Sequence, residues 1–415
     1  MSAMERKLLK QIKNEWRSNL WLAVELLVVS VVLWFIVDYF YVKITQYTFP
    51  RGFDVEHCYK IGVKTLSETS PDYVADQTAE ERRADRQELF DRIQRRPEVE
   101  YVAVGFNSYP YNGSNSGTWF SYDTITCGGY CIYRNVTPDF VNVFRYGGTR
   151  GETPEQLAEM LRRGEVLLSD NVFMHDSLRV TDIVGEGIYM NRDTTVTHRI
   201  GAALNEVKYN DYGGWGHDYT MVASIENPID GNEWCVRLYA DKDRDFIENF
   251  MADADRQYRV GNLYVTNVRS FDDIRRNYQV YITNGIRNSC VGMGFLLLNI
   301  FLGLFGTFWF RAQQRVSEIA IRKVNGATRG DIFRRLIGEG LLLLTVVTPL
   351  AVLIDFNIAR LELNEWCIDG YFSTMRFLTC TVVAYVLMAL MITLGIAIPA
   401  FRAMRMPPAT ALHDE

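Results

Sequence analysis

The chain has 415 residues, of which 48% are hydrophobic and 23% charged, and its formal net charge is −6. Collagen-like, coiled-coil and disordered chains are excluded by the 11 Pro, the 30 Gly and the 13% of aromatic residues. A fully water-soluble protein is excluded as well, because several stretches of about 20 residues are almost purely apolar, which is long enough to cross a bilayer.

The first apolar stretch covers residues 20–42 and is interrupted only by Glu25 and Asp38. As a helix it is about 34 Å long, enough to cross a hydrocarbon core of roughly 30 Å. A cleaved signal peptide is the competing interpretation, but its apolar core would be shorter and would end in small residues, whereas this stretch ends in Tyr39, Phe40 and Tyr41. We therefore predict an uncleaved anchor, preceded by an amphipathic cytoplasmic segment at 1–19.

The polar region 43–285 is predicted to form a mixed α and β domain. Residues 58–66 alternate as in a strand, 76–96 form a charged helix, and 99–106 form a second strand. The same order of elements recurs later, in the segments 234–240, 243–257 and 262–268. The predicted fold class is thus a membrane protein with four transmembrane α-helices and an α+β extracytoplasmic domain, built from two split βαβ halves with a β-rich insertion.

Four cysteines fall in this domain: Cys58, Cys127, Cys131 and Cys235. The CxxxC spacing of Cys127 and Cys131 fits either a small local disulfide or two free thiols. The five histidines are scattered without paired ligand spacing, so no metal site is expected.

Three further transmembrane helices are predicted, at 286–310, 336–357 and 377–400, which places both termini on one side of the membrane. The segments on that side are 1–19, 311–335 and 401–415. Together they carry fourteen Lys or Arg against six Asp or Glu. Because short loops rich in Lys and Arg stay in the cytoplasm, we predict that these three segments are cytoplasmic. The α+β domain and the short loop 358–376 are then extracytoplasmic.

The cytoplasmic loop 311–335, called the elbow below, has the pattern of a helix, a break and a second helix. Gly326 supplies a left-handed helix stop, and Thr328 with Asp331 forms a capping-box pattern. The second helix continues directly into the third span. Such a stiff element converts a push from a soluble partner into helix tilt, whereas the competing interpretation is a basic loop that only sets topology.

The elbow also resembles a known family. The segment from Glu318 to Ala327 is similar to the E-I-x-I-R-K-x-x-G-A signature of MacB/FtsX-type ABC transporter permeases. Residues 399–412 resemble that family's P-A-x-R-A-x-R-x-x-P-x-x-A-L pattern. The order of one span, a large external domain and three spans is also the family's architecture, so the resemblance extends over essentially the whole chain.

This resemblance implies a non-catalytic permease subunit that dimerises with itself or with a paralogous permease and binds an ATPase subunit at the elbow. The matching elbow positions are Arg315, Glu318, Ile319, Ile321, Arg322, Lys323, Gly326 and Ala327, and those of the tail are Arg402, Arg405 and Pro408. Arg322 and Lys323 can pair with acidic groups of the partner, and Ile319 can fill a hydrophobic groove. Because no G-x-x-x-x-G-K-[S/T] motif occurs, ATP and Mg are expected on a separate ATPase chain, with no cofactor on this one.

The implied role is transmission of ATP-driven conformational change across the bacterial inner membrane. The resemblance implies export or extraction of a peptide, drug or lipid-linked substrate from the periplasmic side, with a periplasmic adaptor or outer-membrane exporter as a further partner. The alternative is an FtsX-like regulator that activates an external cell-wall hydrolase, which the motifs fit equally. A nucleic-acid partner is not expected.

Glu339 and Glu25 are two of the carboxylates that lie within the apolar stretches. Glu339 follows Arg335 by four residues, which favours a helical ion pair over a role in transport. Glu25 has no such neighbour, and three interpretations stay open: it is protonated, it faces another helix, or it lines a dimer seam. Glycines at 292, 294, 303 and 306 permit close approach of a second helix, as in a dimer.

Overall fold

The computed structural model of the protein describes residues 16–191, 193–213, 218–225, 231–314, 316–361, 363–364 and 373–405. It contains two compact units. Residues 1–45 and 284–415 form the membrane unit, which holds the long apolar helices, and residues 46–283 form the α/β unit.

The helices and strands follow one another along the chain in this order: α1 (Trp16–Thr48), β1 (Cys58–Thr65), α2 (Ala79–Gln94), β2 (Val99–Phe106), β3 (Ser116–Thr118), β4 (Phe120–Tyr122), β5 (Ile125–Thr126), β6 (Cys131–Val136), α3 (Phe140–Val143), α4 (Pro154–Arg162), β7 (Val166–Ser169), β8 (Gly187–Met190), β9 (Thr197–Leu204), β10 (Tyr219–Ser224), β11 (Glu233–Leu238), α5 (Phe246–Ala252), α6 (Ala254–Gln257), β12 (Leu263–Ser270), α7 (Phe271–Gln314), α8 (Val316–Val324), α9 (Arg329–Arg360) and α10 (Thr374–Arg405). Short 3-10 turns lie at Met174–Asp176, Val180–Ile183 and Ala240–Lys242.

Within α1, α7, α9 and α10 lie segments long and apolar enough to cross a membrane: Leu20–Thr48, Phe271–Arg311, Gly330–Arg360 and Thr374–Ala397. Each overlaps one of the apolar stretches predicted from the sequence. The helices are longer than those stretches, because backbone hydrogen bonding continues into polar residues at which an apolar run ends. The four-helix membrane fold predicted from the sequence is confirmed.

The interior of the membrane unit is a continuous apolar cluster to which each of the four long helices contributes. Leu26 and Trp34 of α1, Leu304 of α7 and Met388 of α10 are nearly or completely buried in it. The ring of Trp34 lies 5.6 Å from that of Phe377, centroid to centroid. Since lipid tails are as apolar as leucine, close van der Waals packing stabilises such an interior more than removal of apolar surface does.

A buried polar network links α1 to α10 and to the segment after α9. Asp38, only 1% exposed, accepts hydrogen bonds from Arg376 Nε at 2.6 Å and from Asn364 Nδ2 at 2.8 Å. Cys380 Sγ lies 3.7 Å from Asp38 Oδ1. Arg376 and Asn364 are each only 6% exposed. The charge that interrupts the first apolar stretch is therefore compensated by an arginine that lies far away in the sequence.

The α/β unit is built on one mixed sheet whose strand order is β12-β1-β11-β2-β6-β10-β7-β9-β8-β4-β5, with β3 paired to β6. The first four strands in this order belong to the two predicted strand–helix–strand halves. The halves interleave, because β11 of the second half lies between β1 and β2 of the first. These four strands are antiparallel to their neighbours, with Lys60 opposite Cys235 and Cys235 opposite Ala103. The split βαβ arrangement with an insertion between β2 and β11 is confirmed.

The first of these halves forms as its sequence pattern requires. Thr78 caps α2 through a capping box with Glu81, in which each side chain accepts a hydrogen bond from the other residue's backbone N–H. Leu89 and Ile93 of α2 are fully buried against the sheet. In the second half, the single helix predicted at 243–257 is two short helices, because the chain turns at Asp253 between α5 and α6.

The insertion adds strands to the same sheet and a second layer of core. Pairs β6–β10 and β7–β9 are parallel, and the other pairs of the insertion are antiparallel. Val136, Val222 and Leu204 face one side, where α3 and α4 cover them. Cys131, Leu168 and Ala203 face the other. Because successive side chains of a strand point to opposite faces of the sheet, these buried strands contribute to two separate hydrophobic cores.

A cluster of buried charged groups connects the end of α1 with the beginning of α7 within the α/β unit. Lys208 Nζ donates to the backbone oxygens of Gln46 and of Phe49, the latter at 2.8 Å. Asp211 accepts from Tyr111 Oη at 2.6 Å and from Arg275 Nε at 2.7 Å. Burial opposes ionisation of Asp211, but the hydrogen bonds of Tyr111, Arg275 and Gln279 outweigh it and hold the pKa of Asp211 below its ordinary value.

The four cysteines of the α/β unit are free thiols, and each is buried. Cys127 Sγ donates to the backbone oxygen of Gly129 at 3.5 Å, so the CxxxC segment has the free-thiol form of the two alternatives left open by the sequence. Burial raises the pKa of Cys58 to about 12 and also raises the pKa values of Cys131 and Cys235.

Candidate coupling site

The elbow has the helix–break–helix conformation that its sequence predicts. Helix α8 is followed by Gly326, whose φ of +86° lies in the left-handed region that glycine adopts without a steric penalty. The backbone N–H groups of Gly326 and Ala327 donate to the oxygens of Lys323 at 3.0 Å and Arg322 at 3.0 Å. These bonds satisfy carbonyls that the end of a helix leaves without donors.

The second helix of the elbow begins at once. Thr328 is the N-cap of α9, and its hydroxyl accepts from the N–H of Asp331 at 3.2 Å, while Asp331 accepts from the N–H of Thr328 at 3.1 Å. Only Asn325, Gly326, Ala327 and the cap residue separate α8 from α9. With both helix ends closed by hydrogen bonds, the turn has little freedom to bend independently of α9.

One face of the elbow packs into the membrane unit. Ile319 and Ala320 of α8 are 4% and 3% exposed, and Ile332 of α9 is 3% exposed. Ile319 and Ile332 belong to the same apolar cluster as the four long helices. The ring of Phe333 also lies 5.2 Å from that of Phe401 of α10. A displacement of α8 must therefore move side chains that are packed against the spans.

The opposite face of α8 is open and combines apolar with basic side chains. Ile321 is 52% and Val324 66% exposed. Arg322 Nη2 forms an ion pair with Glu318 Oε1 at 2.7 Å, one helical turn away, and Arg335 Nη2 lies 3.8 Å from the same oxygen. A short apolar strip flanked by charge is a surface suited to binding a protein partner.

The residues predicted for this site divide between the two faces. Glu318, Ile321 and Arg322 lie on or beside the open face, and Gly326 forms the turn. Ile319, predicted to fill a partner's groove, is instead buried against the spans, because the open face of this helix is the one that carries Ile321. Periodicity alone does not distinguish the two apolar faces of so short a helix.

Other predicted positions are described only in part. Lys323 and Ala327 are half-buried, and Ala327 packs on the apolar cluster. Arg402 and Arg405 lie in the last turns of α10, where the structure describes the backbone alone. Arg315 and Pro408 lie outside the described residues, as do residues 1–15 of the predicted amphipathic segment 1–19. Val324, which belongs to no fixed position of the family signature, is the most exposed apolar side chain of α8 in the described part.

Glu339 and Glu25 each pair with a residue of another helix. Glu339 Oε1 lies 4.0 Å from Arg311 Nη1 of α7, so a cross-helix partner adds to or replaces the predicted neighbour Arg335. Glu25 accepts a hydrogen bond from Thr307 Oγ1 of α7 at 3.1 Å. Of the three interpretations left open for Glu25, the structure shows the one in which it faces a neighbouring helix. Among the described residues, no group of three or more His, Cys, Asp or Glu is placed to hold a metal ion.

One family model matches the part of the chain that contains the elbow. The model of the family described as "FtsX-like permease C-terminal" matches residues 290–408, which include the elbow and the last three spans. Residues 290–408 are thus similar to the C-terminal domain of FtsX-like permeases. The described residues also include four helices that are long and apolar enough to cross a membrane.

Solved structures were compared as well. The chain is similar to the periplasmic region of MacB from Actinobacillus actinomycetemcomitans, with 8% sequence identity and a TM-score of 0.30, over 55% of this chain and 95% of that one. A similarity of this size carries no argument about function. No match was found among curated protein sequences.

Proposed function

We propose that this protein is an FtsX-like permease and the membrane subunit of an ABC-type complex, in which a separate ATPase subunit binds the open face of α8. The observation that carries the proposal is the two-sided elbow. Its outer side presents Ile321 and Val324 to a partner, while its inner side buries Ile319 in the membrane unit. A partner that moves α8 thus acts directly on the packing of the spans.

In the proposed complex, ATP acts on the elbow through the affinity of the ATPase subunit for different states of the permease. A ligand shifts a conformational equilibrium only if it binds one state more tightly than the other. The ATPase subunit must therefore contact α8 differently with and without nucleotide. In the proposed complex the α/β unit lies outside the cytoplasm of a bacterial inner-membrane protein with both termini inside, and it performs the mechanical work of exporting or extracting a substrate.

The open face of α7 supports assembly of two permease subunits. In the part of the chain that the structure describes, no atom beyond the neighbouring backbone of α7 lies within 4 Å of the position of a Cβ at glycines 285, 292, 294 and 306. Val291 and Phe295 are 69% and 68% exposed. In a bilayer, small residues beside large apolar ones let a second helix approach closely. In this proposal α7 of one subunit packs against a second copy or a paralogous permease.

Co-purification tests the role of the elbow. The intact chain is isolated from native membranes, and the eluate is assayed for ATP hydrolysis and for a protein with a G-x-x-x-x-G-K-[S/T] motif. Ile321→Asp combined with Val324→Asp is expected to remove both, because two charges then replace the exposed apolar strip. Leu361→Asp is the matched control, since Leu361 is also 66% exposed but follows the opposite end of α9. Equal ATPase recovery with the wild type, the Ile321→Asp/Val324→Asp variant and the Leu361→Asp control would refute the assignment of α8 as the binding site of the ATPase subunit.

A further inference from the structure

A cavity inside the membrane unit lies between α1, α9 and α10 and takes no part in the coupling described above. Its volume is about 20 Å³, and its polar lining includes Ser30, Trp34, Thr348, Asp355 and Thr381. That volume accommodates one water molecule or one small cation.

Three of the lining residues have polar atoms without a partner. Asp355 is 3% exposed and Trp34 is 1% exposed. Asp355 Oδ1, Trp34 Nε1 and Ser30 Oγ form no hydrogen bond within the part of the chain that the structure describes. Asp355 forms no ion pair in that part, in contrast to Asp38, which is paired with Arg376. A buried polar group without a partner is costly, and a buried carboxylate without a counter-charge more so.

The threonine hydroxyls show what kind of ligand fits. Thr348 Oγ1 donates its hydrogen to the backbone oxygen of Leu344 at 2.7 Å, and Thr381 Oγ1 donates to that of Phe377 at 2.8 Å. With their hydrogens engaged, both oxygens offer only lone pairs to the cavity. The lining therefore supplies a carboxylate and several oxygen acceptors, with the Trp34 N–H as a donor.

We propose that this cavity is a binding site for a monovalent cation, sodium in particular. Asp355 supplies the charged ligand, and the hydroxyl oxygens of Ser30, Thr348 and Thr381 supply neutral ones. Hard cations prefer oxygen ligands, and a single carboxylate balances a single positive charge. A water molecule satisfies the hydrogen-bonding atoms equally well, but only a cation or a proton compensates the charge of Asp355.

The proposed ligands come from three different helices, so a bound cation would link these helices. Ser30 lies on α1, Thr348 and Asp355 on α9, and Thr381 on α10. A cation held by all three helices stabilises the state in which they are packed together. The folded protein therefore binds sodium and the unfolded chain does not.

The test uses the full chain, purified in detergent micelles and exchanged into sodium-free choline chloride. Binding of ²²Na⁺ is expected to saturate at about one ion per chain. In thermal or denaturant unfolding at constant ionic strength, each tenfold rise in sodium above saturation should raise the folding equilibrium constant about tenfold. Asp355→Asn should abolish both effects. Glu25→Gln is the matched control, because Glu25 is a span carboxylate that contacts Thr307 and does not line the cavity.

Two outcomes overturn the proposal. The wild-type chain binds no sodium and is equally stable in sodium and choline chloride, in which case the cavity holds water or Asp355 carries a proton. Alternatively, Asp355→Asn binds sodium as the wild type does, which places the ion elsewhere. If Asp355→Asn does not fold, Ser30→Ala and Thr381→Val replace it, each with an expected loss of sodium affinity of at least several-fold.

Discussion

The ion pair between Asp38 and Arg376 gives the sharpest prediction about stability. The side chains are 1% and 7% exposed, and a second donor, Asn364, also binds the carboxylate. Arg376→Met keeps most of the side-chain volume but leaves a buried carboxylate without its counter-charge. Breaking a buried pair in this way costs about 3–5 kcal/mol, or roughly 10²- to 10⁴-fold in the folding equilibrium constant.

Adding Asp38→Asn to Arg376→Met should recover most of that loss. A neutral amide needs no counter-charge, and its oxygen can still accept the hydrogen bond from Asn364. Asp38→Asn alone should be destabilising too, because the guanidinium of Arg376 is then buried without its carboxylate. The two substitutions are therefore expected to be strongly non-additive, which a double-mutant cycle measures.

The assay is equilibrium unfolding of the full chain in mixed micelles, followed by circular dichroism. Arg360→Met is the control, because Arg360 is exposed at the end of α9, and its effect should stay within about 0.5 kcal/mol. The reasoning is refuted if Arg376→Met costs less than about 1 kcal/mol. It is also refuted if adding Asp38→Asn makes the protein less stable still.

Three further predictions concern other parts of the molecule. Thr328→Ala removes the capping box of α9 and should cost about 1 kcal/mol, seen as faster hydrogen exchange at the amide of Asp331. The pKa of Asp211 is lower in the folded than in the unfolded state. The contribution of Asp211 to stability is therefore complete above the ordinary carboxyl pKa of about 4 and is lost as the pH falls through the folded-state pKa. Asp211→Asn should flatten the decline in denaturant midpoint between about pH 6 and pH 3. Cys58, with its pKa raised to about 12, should resist maleimide at neutral pH until the α/β unit unfolds, and rapid labelling of the native protein would contradict its burial.

Much of the architecture was predictable because it depends on patterns of residues that are close together in the sequence. Apolar runs predicted the four spans, and alternation with helix stops predicted β1, α2 and β2 close to their observed bounds. The glycine stop and the capping box of the elbow depend on residues only a few positions apart, so the sequence contains all the information they require.

The missed features depend on contacts between residues distant in the sequence. Asp38 was recognised only as an interruption of an apolar stretch, since nothing near it indicates Arg376. Which apolar side chain of α8 faces the spans is decided by α9 and α10, so Ile319 and Ile321 were not distinguishable beforehand. The same holds for the contacts of Glu25 with Thr307 and of Glu339 with Arg311.

The pairing of the first and last strands of the α/β unit has a consequence for how such proteins diversify. Tyr59 near the start of β1 lies opposite Ser270 at the end of β12, so the chain enters and leaves this unit at neighbouring points. A segment whose two ends are adjacent can be exchanged as a cassette without stretching the chain on either side. Recombination, in nature or in the laboratory, can thus replace the α/β unit while the helices of the membrane unit keep their sequence.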